Sequence, residues 1–243
     1  MSRYAPSGPT IQFGPGAMTP AVRALIVANV AVFLPTFFAP AFFDNYFGLV
    51  PELVLTRAWI WQVVTYAFVH ADIVHILFNM LIVWMFGVDL ERRWGAAAFT
   101  KFYLVCAAGA GVTVIGVSLL PFDASRSMYI ASTVGASGAC YGLLMAWALL
   151  FPTREILLFF VFPVQARYAV MIFGALAFFS GLSSGGGTVA HFAHLGGLVV
   201  GYLYLKGVRG LRYSMQTAVT KFRFMRARRK FKVHEGGKGP TVH

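Results

Sequence analysis

Acidic side chains are scarce in this chain: Asp and Glu number 8 in 243 residues, and charged residues of either sign make up 12%. A soluble domain of this length needs more charge than that to cover its surface, so a water-surrounded globular fold is excluded. Cysteine is also rare. Cys106 and Cys140 are the whole complement, each falls inside an apolar run, and no disulfide between them is indicated. No internal repeat is visible. The stretch before the first apolar run lacks the charged-then-apolar layout of a cleavable signal, so that run is expected to stay as an anchor.

What is abundant is apolar surface, with 58% hydrophobic residues and a mean hydropathy of +0.71. Six membrane spans are expected: Ala24–Pro40, Ala71–Val88, Ala98–Leu120, a short one at Ser137–Phe151, then Tyr168–Leu182 and Thr188–Leu205. The apolar run preceding the fifth is interrupted by Pro163, Gln165 and Arg167, so Ile156–Pro163 reads as an interfacial segment. Three parts follow. Residues 1–20, rich in Gly and Pro, form a flexible cytoplasmic leader; 21–206 form a single six-span, all-α bundle; 207–243 form a basic cytoplasmic tail.

The net charge of +12 sits unevenly. Of 20 Lys and Arg, only Arg57 and Arg126 fall in the loops after spans one and three. The positive-inside rule then places both termini in the cytoplasm, the parity that six spans require. Between Lys221 and Lys232, seven cations interleave with Phe222, Phe224, Met225 and Phe231. That pattern suits contact with anionic lipid at the membrane surface, with a solubilising tail as the plainer alternative. No nucleic-acid-binding module accompanies the charge, so nucleic acid is not expected as a partner.

The short fourth span is the most informative. From Ser137 to Phe151 it reaches about 22 Å at about 1.5 Å per residue, across a hydrocarbon core about 30 Å thick. Its N-terminus therefore lies inside the membrane, where backbone must be shielded by protein or face a water-filled cavity. Gly135, Ala136, Ser137 and Gly138 put a hydroxyl at that point, the position suited to a nucleophile.

Polar groups inside spans are expensive and suggest function. Span two carries His75 and Asn79, one helical turn apart on one face; span six carries His191 and His194. Interhelical hydrogen bonding alone explains one such residue more readily than four beside a buried serine. If span four runs inward from Ser137, the serine lies about 8 Å below the outer boundary, and His194, entering from the outside, lies about 9 Å down. The row Gly197 and Gly201 permits close approach of another helix. If that helix is span four, with Gly138 and Gly142, the imidazole reaches the serine oxygen. His191 sits one turn higher and suits a loop-proximal or gate position.

None of the acids Asp44, Glu52, Asp72, Asp89, Glu91, Asp123, Glu155 and Glu235 falls deep in a span, and Asp72 is placed to cap span two. A Ser-His-Asp arrangement is therefore disfavoured and a Ser-His dyad remains. Tyr141, one turn below Ser137, is placed either to stack on His194 or simply to pack at a helix interface. Donors for a developing oxyanion are available in the Ser137 amide, His75 and Asn79.

These residues resemble the rhomboid family of intramembrane serine proteases. The resemblance covers about Phe47 to Gly201. It rests on Trp61 to His70 at the end of the first loop, on His75 and Asn79 in span two, and on Glu91, Arg92 and Gly95 closing that span. Gly135, Ser137 and Gly138 resemble the nucleophile motif, and His194, Gly197 and Gly201 the motif of span six. One departure is Gln62, where many members carry Arg. The resemblance implies Ser137 as nucleophile, His194 as general base and acid, His75 and Asn79 as oxyanion donors, and Tyr141 as support for the imidazole. Gly135 and His70 enter as supporting residues. It implies membrane-spanning protein substrates, no cofactor and no metal. A multi-pass protein of a bacterial plasma membrane is the expected setting.

Two rivals differ in class. A non-enzymatic rhomboid-like protein usually lacks the serine or the histidine, and this chain has both. A metal or haem protein would need ligands at other spacings than those of His70, His75, His191 and His194. Cys140 lies within the helix and not at its exposed start, which disfavours it as a nucleophile.

Overall fold

The computed structural model describes residues 14–121, 123–158, 161–182 and 190–207. Most of the expected leader, the basic tail from residue 208, and the expected start of span six at Thr188 lie outside these residues. Among the described residues, three helices are long and apolar enough to cross a membrane: α1 (Pro20–Phe38), α5 (Ile73–Trp94) and α6 (Ala96–Ser118). Between α1 and α5 lie the short α2 (Pro40–Tyr46), α3 (Pro51–Arg57), α4 (Gln62–Thr65) and a 3-10 turn at Tyr66–Phe68. After α6 come α7 (Asp123–Ile130), α8 (Ser137–Leu150), α9 (Ala166–Leu182) and α10 (190–207).

The long helices begin where their sequences allow. Proline stands at the first turn of α1, and its free amides are met from 70 residues away: Ala21 N–H donates to Glu91 Oε1 and Val22 N–H to Glu91 Oε2, both at 2.9 Å. The Thr19 hydroxyl also donates to this carboxylate. Glu91 is only 4% exposed, so a buried anion offsets the positive end of α1 and ties it to the last turn of α5. Asp72 caps α5 by accepting the His75 N–H at 2.8 Å. Gly95, at φ +82°, makes the reversal from α5 into α6, a conformation that side-chain-bearing residues rarely adopt.

The middle of the bundle is built on missing side chains. A Cβ on Gly197 would run into the carbonyl oxygen of Gly138, and one on Gly201 would sit 3.1 Å from the Gly142 Cα. A Cβ on Gly196 would meet the Thr113 hydroxyl at 2.5 Å. Small residues thus seat α10 against both α8 and α6 at backbone contact.

The α1–α5 loop is held by the departure noted in the sequence. Gln62 is fully buried; its Nε2 donates to the Asn45 carbonyl at 2.9 Å and its Oε1 accepts from Val50 N–H at 3.1 Å. A stack of Tyr46, Trp59 and Trp61 lines the same loop, with neighbouring ring centroids 5.3 and 5.4 Å apart.

One correction to the all-α expectation falls between α8 and α9. The segment read as interfacial forms an antiparallel hairpin of β1 (Glu155–Leu158) and β2 (Phe162–Gln165), with Glu155 opposite Gln165 and Leu158 opposite Phe162. Uncharged, β-branched and aromatic residues favour extended chain there, and Pro163 in the second strand forbids a continuous helix.

Candidate active site

Ser137 is the first residue of α8, and the two residues before it are pinned from the α1–α5 loop. Gly135 takes φ +115°; its N–H donates to the Tyr66 carbonyl at 2.9 Å. Ala136 N–H donates to His70 Nε2 at 3.4 Å. His70 is fully buried, and burial, then the neighbouring His75, hold its pKa down at about 4. The ring is therefore neutral at pH 7, as accepting from Ala136 requires. Adjacent residues continue this clamp: Leu49 and Thr133 exchange backbone hydrogen bonds at 2.9 Å each.

The serine hydroxyl meets the imidazole of α10 directly, with Ser137 Oγ 2.8 Å from His194 Nε2. The His194 ring lies flat on Tyr141, with centroids 4.3 Å apart and planes 4° from parallel. Among the described residues no carboxylate hydrogen bonds to His194, so stacking and helix packing are what orient it. Asp89 is engaged elsewhere, accepting from Arg154 at 2.7 Å and Trp147 Nε1 at 3.1 Å. His191 lies edge-on to His194 at 5.9 Å between centroids and does not reach the serine by any hydrogen bond among the described residues.

A third group faces the same point from α5. A Cβ built on Gly135 would stand 2.5 Å from His75 Nε2 and 3.6 Å from Asn79 Nδ2, so both nitrogens converge on the chain just ahead of Ser137. Asn79 is 3% exposed, and its Nδ2 has no hydrogen-bond partner among the described residues. A buried amide nitrogen left unpaired costs about 1–3 kcal/mol, and it is aimed where only glycine leaves room. The Asn79 carbonyl of the backbone accepts weakly from Cys140 Sγ at 3.5 Å.

The structure thus brings together Ser137, His194, Tyr141, His75, Asn79, Gly135 and His70, and sets His191 one turn away. Cys106 and Cys140 are buried free thiols. Sequence reasoning did not find Tyr66, which holds Gly135 with its carbonyl and bonds the Ala107 carbonyl with its hydroxyl at 2.7 Å. A main-chain acceptor leaves no signature in residue type, so no sequence signal pointed there.

Residues 57–210 match the family model described as Rhomboid domain. The chain is 33% identical over 188 residues to Rhomboid protein 1, mitochondrial, of Saccharomyces cerevisiae, covering 75% of this chain and 51% of that protein. It is 28% identical over 165 residues to Rhomboid protease AarA of Providencia stuartii, covering 63% and 57%. To Rhomboid protease GluP of Bacillus subtilis it is 28% identical over 156 residues, covering 64% of this chain and 27% of the relative. The chain spans roughly a quarter to three fifths of the length of these relatives.

Proposed function

Since this chain belongs to the rhomboid family, we propose that it is an intramembrane serine endopeptidase that cuts membrane proteins within or beside a spanning segment. The observation that carries the reading is the 2.8 Å contact between Ser137 Oγ and His194 Nε2 at the start of a 14-residue helix too short to cross the bilayer.

The chemistry follows from the groups at hand. Ser137 Oγ attacks the scissile carbonyl while His194 Nε2 takes its proton. The carbonyl oxygen becomes an oxyanion and is met by Asn79 Nδ2, His75 and the Ser137 N–H. Asn79 Nδ2 is unpaired at rest, so it bonds the oxyanion without giving up an existing partner. Collapse of this intermediate breaks the C–N bond, and His194 returns the proton to the leaving amine. The acyl group stays on Ser137 until water, deprotonated by His194, attacks it and regenerates the serine. Tyr141 replaces the absent carboxylate as the surface that keeps the imidazole in plane. A peptide carbonyl inside an intact helix is already hydrogen-bonded, so the substrate must be locally unwound to react.

The reading includes six spans, formed by α1, α5, α6, α8, α9 and α10, with both termini on the side of the membrane away from Ser137. That side is the cytoplasm of a bacterial plasma membrane, and the cations of residues 207–243 contact anionic lipid there. Substrate enters between α5 and α9, past the exposed rings of Phe78, Phe178 and Phe179.

The test is cleavage of a single-span protein by the reconstituted chain, with and without a chelator, alongside Ser137→Ala. Turnover lost in Ser137→Ala and indifferent to the chelator is expected. Chelator-sensitive turnover that survives the substitution would overturn the site, and binding of the span without turnover in either protein would favour a non-enzymatic member of the family.

A further inference from the structure

The β1–β2 hairpin lies outside the catalytic chemistry, and its surface is unusual. It leaves the C-terminal end of α8, opposite Ser137, and enters α9 with no residue between. Residues 156–165 carry no charge. Alternate side chains of a strand face opposite ways. By the register, Leu157 shares one face with Pro163, and Phe162 shares the other with Ile156 and Val164. Ile156, near the base, is buried, whereas Leu157, Val161 and Phe162 are 50%, 66% and 62% exposed, so exposed apolar side chains stand on both faces. In water that would be an uncharged two-stranded edge with large apolar side chains exposed on both faces, an arrangement that soluble proteins avoid.

The residues at its base mark a boundary. The Arg154 guanidinium lies over the Phe151 ring, 4.3 Å from its centroid, and the Arg167 guanidinium lies over Tyr168 at 4.7 Å. Arginine stems and aromatic rings of this kind collect where hydrocarbon meets water. Past Arg167, exposed apolar side chains resume on α9 at Tyr168, Met171 and Ile172. The base is also fixed to α9 by its backbone: Ala166 N–H donates to the Arg154 carbonyl at 2.8 Å and Arg167 N–H to the Pro152 carbonyl at 3.3 Å.

We propose that β1–β2 is a lipid-seated hairpin. The exposed apolar side chains of both its faces lie in the headgroup–acyl boundary of the leaflet facing away from Ser137, and Arg154 and Arg167 stand at the water edge. The occupant of this surface is bilayer lipid and not a protein partner. Both ends of the hairpin are tied to apolar helices, exposed apolar side chains resume on α9 directly past Arg167, and residues 156–165 offer no charge by which a protein would be oriented. Seating the hairpin fixes the first turn of α9 at a set depth.

The experiment uses the full chain in phosphatidylcholine vesicles, with an environment-sensitive fluorophore on Phe162→Cys and separately on Leu157→Cys. The native cysteines are buried, so the label is directed to the new thiol. Both positions are expected to give blue-shifted emission, several-fold stronger quenching by lipids nitroxide-labelled near the headgroup than near the chain end, and little quenching by aqueous iodide. Water-like emission quenched by iodide at both positions would overturn the proposal. So would protection from lipid and iodide quenchers alike, which would mean that protein covers the surface. Neither readout depends on turnover, so it stands or falls apart from the protease reading. A Val161→Glu variant adds the link to α9: turnover of a membrane-embedded substrate is expected to fall several-fold while reaction of Ser137 with a small fluorophosphonate is unchanged.

Discussion

Helices α8 and α9 are both short and apolar, yet the protein treats them oppositely. Nine of the 14 residues of α8 are buried, and its neighbours approach it through glycines at backbone distance. In α9 the fully or nearly buried side chains are alanines such as Ala166, Ala169 and Ala177, while Met171, Leu176 and Phe179 are 67%, 56% and 68% exposed. The first helix carries the serine and is gripped from α5, α6 and α10. The second touches its neighbours through small side chains and leaves its large ones outward. On the proposed function, the serine helix has to hold proton-transfer geometry to tenths of an ångström, while α9 borders the proposed substrate path.

The sharpest way to break this contrast is to add bulk at equivalent glycines. Gly197→Val forces side-chain atoms into the Gly138 carbonyl, where only backbone could yield. It is expected to abolish turnover and lower the midpoint of thermal unfolding in detergent, by overpacking of about 1–3 kcal/mol or more. Asn79→Ala probes the same tightly held site without disturbing it. Its nitrogen is unpaired at rest, so the unfolding midpoint should hold while kcat drops about 10²- to 10³-fold.

His70 gives a subtler effect, visible in pH dependence. Its folded pKa of about 4 lies below the ordinary 6.5, so the unfolded chain binds the proton more readily. Stability from this group is complete above about pH 6.5 and is lost as pH falls toward 4. His70→Gln should flatten that part of the plot of unfolding midpoint against pH. The smallest effect is expected at Gly174→Ala in α9, whose new methyl would meet only the Leu198 Cδ1 at 3.3 Å. A change in stability within about 1 kcal/mol is expected there, helped by the better helix propensity of Ala. A large loss at Gly174 would erase the distinction between the two helices.

Much of this arrangement is legible in the residues themselves. Apolar length marks the helices, Asp72 announces the start of α5, and the spacing of Gly197 and Gly201 announces a close crossing. Helix depth alone puts Ser137 and His194 at one level. Other features have no local signal. Glu91 caps a helix that begins 70 residues earlier in the chain, and only the folded bundle reveals it. The value of Gln62 as a two-sided amide staple appears only when Asn45 and Val50 are seen on either side. The hairpin was hidden because a short apolar run looks alike as strand and as interfacial helix.

Activation of Ser137 by His194 can be measured without any substrate. The reconstituted chain is treated with a fluorophosphonate and analysed by intact-mass and peptide mass spectrometry, alongside Ser137→Ala and His194→Ala proteins with unfolding midpoints close to the native one. A single adduct on Ser137, absent from Ser137→Ala and slowed by orders of magnitude in His194→Ala, is the predicted result. Labelling at another residue, or at Ser137 with an undiminished rate when His194 is gone, would mean that His194 does not activate Ser137.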